Sequence, residues 1–118
     1  MNVSVESYGH AVILTLKGEL SADALGVFQQ AVDHHLKGGE VIDVLLNLEQ
    51  VPFIDSAGLE YLLDLQDRLA EKLGQVKLIK PSEDVGTILE ITRLRPAFEI
   101  FEHAAEAVRA LTTGAPEI

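Results

Sequence analysis

The chain has no cysteine, which removes disulfides and thiol chemistry from any account of its function. No run of about 20 apolar residues occurs, and no basic segment leads into an apolar one near the start, so neither a membrane span nor a signal peptide is expected. Cations are scarce: 9 lysines and arginines face 19 acids, for a net charge of −10 and a pI near 4.6. Affinity for phosphate backbones comes chiefly from clustered lysine and arginine, so direct binding to nucleic acid or to an anionic membrane is disfavoured. There is no Gly-x-x-x-x-Gly-Lys-Ser/Thr loop and no Gly-x-Gly-x-x-Gly turn, and no cofactor is expected. His34 and His35 are adjacent on a helix and are expected to point apart, and His10 and His103 add no metal pair at helical i, i+4 spacing. A Gly-x-Ser-x-Gly elbow is also missing, so the chain does not read as an enzyme. These absences together point to a cytoplasmic protein that works by binding.

What is present suits a folded globule. The 118 residues are 47% hydrophobic, enough for one domain spanning 1–118, with a core over about 3–111 and a frayed tail from 112 to 118. Val3 to Ser7 and Ala11 to Lys17 read as strands around the Tyr8-Gly9-His10 turn, an opening antiparallel hairpin. Ser21 is expected to cap a helix running to Leu36, with Asp23 in its first turn and Leu25, Phe28, Val32 and Leu36 on one face. A nearly unbroken apolar run from Val41 to Leu48 reads as a central strand covered on both faces. Val76 to Ile79 is a short buried strand, and Ser82 opens a helix with Glu83 and Asp84 in its first turn. Phe98 to Phe101 is a last strand and Ala104 to Leu111 a closing helix. Strands alternating with helices after a hairpin give an α/β fold: a mixed β-sheet with helices packed on it.

The most informative stretch is Val51-Pro52-Phe53-Ile54-Asp55-Ser56-Ala57-Gly58-Leu59, which joins the central strand to an amphipathic helix. Asp55 suits the N-cap, Ile54 and Leu59 stand at the two positions of a hydrophobic staple, and Gly74 supplies the C-terminal stop. Leu59, Leu62, Leu63, Leu69 and Leu73 form the apolar stripe, with Glu60, Asp64, Asp67, Arg68 and Glu71 opposite. Asp55 alone suffices as a cap, which leaves Ser56 without a structural task. Gly58 sits in the first turn although glycine costs a helix about 1 kcal/mol relative to alanine. It serves either close packing against the sheet or contact with a partner.

From Asn47-Leu48 through Phe53-Ile54-Asp55-Ser56-Ala57-Gly58-Leu59 the chain resembles the STAS domains, the modules of sulfate transporters and anti-sigma factor antagonists. Leu14-Thr15-Leu16-Lys17-Gly18-Glu19-Leu20 is similar to the second strand and Gly-Glu-Leu turn of that family. Phe98-Glu99-Ile100-Phe101 with Glu106-Ala107 is similar to its last strand and helix. The resemblance implies a STAS-like fold and a phosphorylation cycle at Ser56. With Ser56 free, the protein would capture an anti-sigma serine kinase and release a sigma factor; once phosphorylated it would let go, and a serine phosphatase would reset it. Asp55, Ala57, Gly58, Glu60, Tyr61 and Asp23 are the implied partner-facing residues.

Two positions depart from the family pattern. Ser21 stands where aspartate is common after Gly-Glu-Leu, and Thr92-Arg93-Leu94 replaces the usual Thr-Gly-Leu, reading as a longer, basic turn with Arg93 and Arg95 as candidate contacts or solvated surface residues. A response-regulator receiver is a rival, since Asp55 and Lys80-Pro81 each follow a strand. Receivers need an acidic pair after the first strand to hold Mg²⁺, and Ser7-Tyr8-Gly9 stands there. The other alternative keeps the fold: a STAS subunit of a transporter complex or signalling scaffold that binds its partner constitutively.

Overall fold

The computed structural model describes residues 1–114, the side chains of 112–114 excepted. Strands β1 (Asn2–Tyr8) and β2 (Ala11–Lys17) form the expected antiparallel hairpin, in register from Asn2 opposite Lys17 to Tyr8 opposite Ala11. Strands β3 (Asp43–Gln50), β4 (Val76–Ile79) and β5 (Glu99–Phe101) then add in parallel, giving the order β1-β2-β3-β4-β5. The hairpin and this unreversed order differ from the 2-1-3-4-5 arrangement of receiver-type sheets and remove that reading.

Helices α1 (Leu25–Leu36), α2 (Ser56–Ala70) and α3 (Glu83–Ile91) cover one face of the sheet. Their Phe28, Val32, Leu62, Leu65, Leu69, Val85 and Leu89 pack on the alternate strand residues Val12, Leu14, Leu16, Val44, Leu46, Leu48, Val76 and Leu78. Helix α4 (Ala104–Gly114) lies on the other face, where Ala107, Val108 and Leu111 meet Ala11, Ile13, Leu45 and Ile79. The central strands are thus covered on both sides, which is why Val44, Leu45 and Leu46 are apolar in succession and all buried. Helix α4 runs past the expected end at Leu111, and the last part of the expected tail, 115–118, lies outside the described residues.

Several boundaries move for physical reasons. The third strand begins at Asp43 rather than Val41 because its partner β2 begins only at Ala11, which pairs with Asp43. The last strand begins at Glu99, since Phe98, buried in the core, closes the 3-10 turn Arg95–Ala97 instead of pairing. Helix α1 begins at Leu25, not at Ser21, and Ser21 is not its cap: residues 21–24 form a separate turn in which the Ala24 N–H donates to the Ser21 carbonyl at 3.0 Å. Asp23 accordingly lies before the helix and not in its first turn.

The end of α2 is also built differently. Leu73 takes the left-handed conformation (φ 65°), with its N–H on Ala70 O and the Gly74 N–H on Leu69 O. Gly74 is a glycine for another reason. A Cβ there would stand 1.6 Å from the Ile42 carbonyl oxygen, so it is close packing against the strand lead-in that forbids a side chain.

Candidate functional site

After β3 the chain dips back into the core through Val51 and Ile54, both essentially fully buried, and turns Pro52 and Phe53 outward. Ile54 is held in a parallel bridge with Leu20: the Leu20 N–H donates to Phe53 O at 2.9 Å and the Asp55 N–H to Leu20 O at 3.2 Å. The loop after β2 and the loop after β3 are therefore stitched together directly below the start of α2.

Asp55 completes the stitch. Its backbone is extended (φ −101°, ψ −176°), as an N-cap requires, and Oδ1 accepts the Gly58 N–H at 2.9 Å. Oδ2 accepts the Ala22 N–H at 3.0 Å, from the turn that precedes α1. The Gly58 amide first, then the Ala22 amide, hold the carboxyl below its ordinary pKa, because both bonds favour the charged acceptor. The turn carrying Asp23 is brought to the corner in this way, with Asp23 itself exposed.

Ser56 is the first residue of α2, exposed, and its hydroxyl makes no hydrogen bond among the described residues. Ala57 is half-buried against the core and Glu60 is exposed one turn along. Asp55, Ser56, Glu60 and the Ala22-Asp23 turn thus share one surface.

Gly58 and Tyr61 lie inward of that surface: for Gly58 this is the close-packing alternative, and for Tyr61 it departs from the implied partner-facing position. Gly58 is buried, and a Cβ on it would stand 2.4 Å from Leu20 O and 2.8 Å from Ile54 Cγ1. It is the close-packing glycine of the corner. Tyr61 is only 9% exposed, its ring edge-on to Phe28 of α1 at 5.2 Å, and its hydroxyl is buried near Arg68, with no partner within hydrogen-bond distance among the described residues. Burial, helped by the nearby charge of Asp33, pushes its pKa up to about 12.

Sequence reasoning passed over one residue of the corner. Phe53 is 44% exposed, a large aromatic at the rim of the site between the buried Val51 and Ile54. The signal was available: Val51 and Ile54 are the apolar residues that the core needs here, which leaves Phe53 outside. An open hollow of about 450 Å³ adjoins it, lined by Glu49, Gln50, Pro52, Ser82, Glu83 and Asp84. Its three acids suit no anionic ligand, and Ser82 is committed to Val51 O (2.7 Å) and to capping α3. Among the described residues no group of three or more histidines, aspartates or glutamates could hold a metal ion, and no helix is long and apolar enough to cross a membrane. His34 and His35 meet edge-to-face at 5.0 Å instead of pointing apart.

This geometry can be set beside known proteins. The chain is 23% identical over 113 residues to the anti-sigma F factor antagonist of Paenibacillus polymyxa, covering 94% of this chain and 97% of the relative. It is 28% identical over 107 residues to the protein of the same name from Lysinibacillus sphaericus, covering 87% and 90%. Among solved structures it is similar to the anti-sigma factor antagonist SpoIIAA in its unphosphorylated form, at a TM-score of 0.81 and 23% identity over 98% of this chain and all of that one. The phosphorylated form of SpoIIAA, a Bacillus cell fate determinant, superposes at 0.74 with 22% identity over 93% and 99%. The mixed five-stranded sheet with its helices is the fold of these structures. The family match runs from residue 2 to residue 107, nearly the whole described chain, and the protein belongs to the STAS domain family.

Proposed function

We propose that this chain is an anti-sigma factor antagonist, a binding protein switched by phosphorylation of Ser56. The observation that carries the reading is the division of work at the corner: Asp55 caps the helix and ties down the neighbouring turn, while the Ser56 hydroxyl is exposed and unbonded. The names of the curated relatives support the same function, and the fold is one that exists in both a free and a phosphorylated form in SpoIIAA. In this reading the unphosphorylated chain captures an anti-sigma serine kinase through Asp55, Ser56, Ala57, Glu60 and the Asp23 turn, with Phe53 as an apolar anchor at the rim. A sigma factor is thereby released. The kinase phosphorylates Ser56 and frees itself, and a serine phosphatase restores the binding form in the cytoplasm.

The energetics suit a switch that acts on docking. A phosphoserine brings about 1.5 to 2 negative charges. At the first position of α2 the helix dipole offsets about 0.3–1 kcal/mol of the repulsion from Asp55 and Glu60. Buried unpaired at an interface, the same charge costs on the order of 2–5 kcal/mol, or tens- to thousands-fold in affinity.

The test is intact mass spectrometry after incubation with ATP and the candidate serine kinase of the same genome, beside Ser56→Ala. One added phosphoryl group that vanishes in the variant is the expected result. An active kinase that binds the chain and adds nothing would favour the constitutive reading, a STAS subunit of a transporter complex or scaffold. Tight partner binding by Ser56→Asp would point the same way.

A further inference from the structure

We propose a second docking site at the opposite end of the sheet from Ser56: a groove between the end of α3 and β5 that takes an acidic, partly apolar peptide segment of a partner protein. From Ser56 the chain runs along α2 to the far end of the sheet, returns through β4, and descends α3 to the same far end before entering β5. There Arg93 and Leu94 close α3, the Arg93 N–H on Glu90 O at 3.0 Å and the Leu94 N–H on Leu89 O at 2.9 Å. The turn is no longer than a standard helix stop, contrary to the sequence expectation. Arg93 itself occupies the left-handed position (φ 62°), which glycine adopts freely and arginine does not. Leu73 holds the same conformation at the end of α2, so helix termination alone accounts for the backbone. What distinguishes Arg93 is where its side chain stands.

The groove has a volume of about 660 Å³, is open to solvent, and is lined by Glu90, Arg93, Arg95, Pro96, Phe98 and Ile100. Acids outnumber bases 19 to 9 in this chain, yet neither Arg93 nor Arg95 forms an ion pair among the described residues, whereas Arg68, Lys77 and Lys80 each do. Two guanidinium groups are thus left available beside an apolar floor of Pro96, Phe98 and Ile100. Guanidinium forks match carboxylates in geometry, and the floor rewards apolar side chains, so the pair of features selects an acidic peptide with apolar residues between its acids. Glu90 bounds the α3 side and directs the peptide's carboxylates toward Arg93 and Arg95. A small inorganic anion would leave the apolar floor of Pro96, Phe98 and Ile100 unused.

The test is a titration of the isotope-labelled full chain, followed by amide NMR, with a short acetylated peptide of alternating glutamate and leucine. It needs neither kinase nor phosphorylated protein, so its outcome is separate from that of the Ser56 reading. Shifts confined to residues 90–101 are expected, with affinity falling at least about tenfold in Arg93→Gly/Arg95→Gln. Arg93→Gly relieves the left-handed strain, so lost binding cannot be ascribed to unfolding. Unchanged affinity in the double variant, or shifts located elsewhere, would overturn the proposal. An equal response to inorganic phosphate, to an alternating lysine–leucine peptide, or to phosphatidylglycerol vesicles would overturn it as well.

Discussion

Gly58→Ala adds one methyl group at the corner where the two loops meet, and its cost can be worked from what that methyl would touch. The new Cβ would lie 2.4 Å from Leu20 O, 2.8 Å from Ile54 Cγ1 and 3.2 Å from Leu20 Cγ. Side-chain atoms can swing aside. The Leu20 carbonyl cannot do so freely, because it accepts the Asp55 N–H at 3.2 Å and belongs to the bridge with Ile54. Overpacking of this kind costs about 1–3 kcal/mol, and a backbone clash belongs at the upper end. Alanine returns about 1 kcal/mol of helix propensity. The net expectation is a loss of about 1–2 kcal/mol, or roughly 3–12 °C in Tm for a chain of this length. Urea denaturation should show a lower midpoint with an unchanged slope. Gly86→Ala in α3 is the control: its Cβ would meet nothing within 4 Å, and it should be stabilising by about 0.4–1 kcal/mol. Gly58→Ala as stable as the parent would refute the close-packing account and return Gly58 to the candidates for partner contact.

Three further outcomes are expected. Asp55 has a folded pKa below its ordinary 3.8, so its charge stabilises the fold above that value, and this contribution is lost as pH falls through the lower folded pKa. Asp55→Asn should therefore be less stable than the parent at neutral pH, with the gap closing as thermal melts are taken into the acid range; a gap independent of pH would remove the charge from the account. Tyr61, raised from 10.0 to about 12, favours the folded state fully below pH 10 and loses that contribution as pH rises toward 12. In a Tyr8→Phe background the tyrosinate absorbance should appear only near 12, and ionisation at 10 would mean that the hydroxyl is open to solvent. At the end of α2, Leu73→Gly should stabilise by about 1 kcal/mol, because Leu73 is 93% exposed and left-handed, whereas Gly74→Ala should destabilise by about 2 kcal/mol or more. The opposite order in chemical denaturation would show that the wrong residue had been given the turn.

The hairpin, β4 and the apolar face of α1 were legible because each rests on a local pattern: two β-rich segments around Tyr8-Gly9-His10, the short Val76–Ile79 segment with Lys77 as its one polar residue, and helical spacing at Leu25, Phe28, Val32 and Leu36. The α2 stripe was legible only in part: Leu59, Leu62 and Leu69 are buried, but Leu73 is exposed past the end of the helix and Leu65 takes a core position the stripe had left out. Asp55 and Ser82 were legible as caps because an N-cap bonds within its own turn. Ser21 has the same local chemistry and was misread. What decides its conformation is non-local: Leu20 is bridged to Ile54 and the Ala22 amide is taken by Asp55, both more than thirty positions away. Tyr61 failed for a similar reason, since its surroundings depend on Phe28 of another helix. Gly58 stands out from sequence and Gly74 reads as an ordinary helix stop, but whether a glycine serves a dihedral or a contact is settled only by the backbone that passes beside it.

The same long-range stitch bears on how a charge at Ser56 would be felt. Asp55 already engages the Gly58 amide, so one first-turn donor is no longer free for a phosphate, and the helix dipole is left as the main local offset. Below Ser56 the packing is apolar and closed: Leu20, Ile54, Val51 and Leu62 are all essentially fully buried, and a group on the exposed hydroxyl would not enter it. The most exposed tie within reach is the bond from the Ala22 N–H to Asp55 Oδ2 at 3.0 Å, which lies at the surface and anchors the 21–24 turn, whereas the Gly58 bond is partly buried. A dianion beside Asp55 would thus act on the exposed acids and on the 21–24 turn before it acted on the core. That turn and those acids are the surface proposed for the partner, so a charge at Ser56 would fall where it could change recognition and where the fold has least at stake.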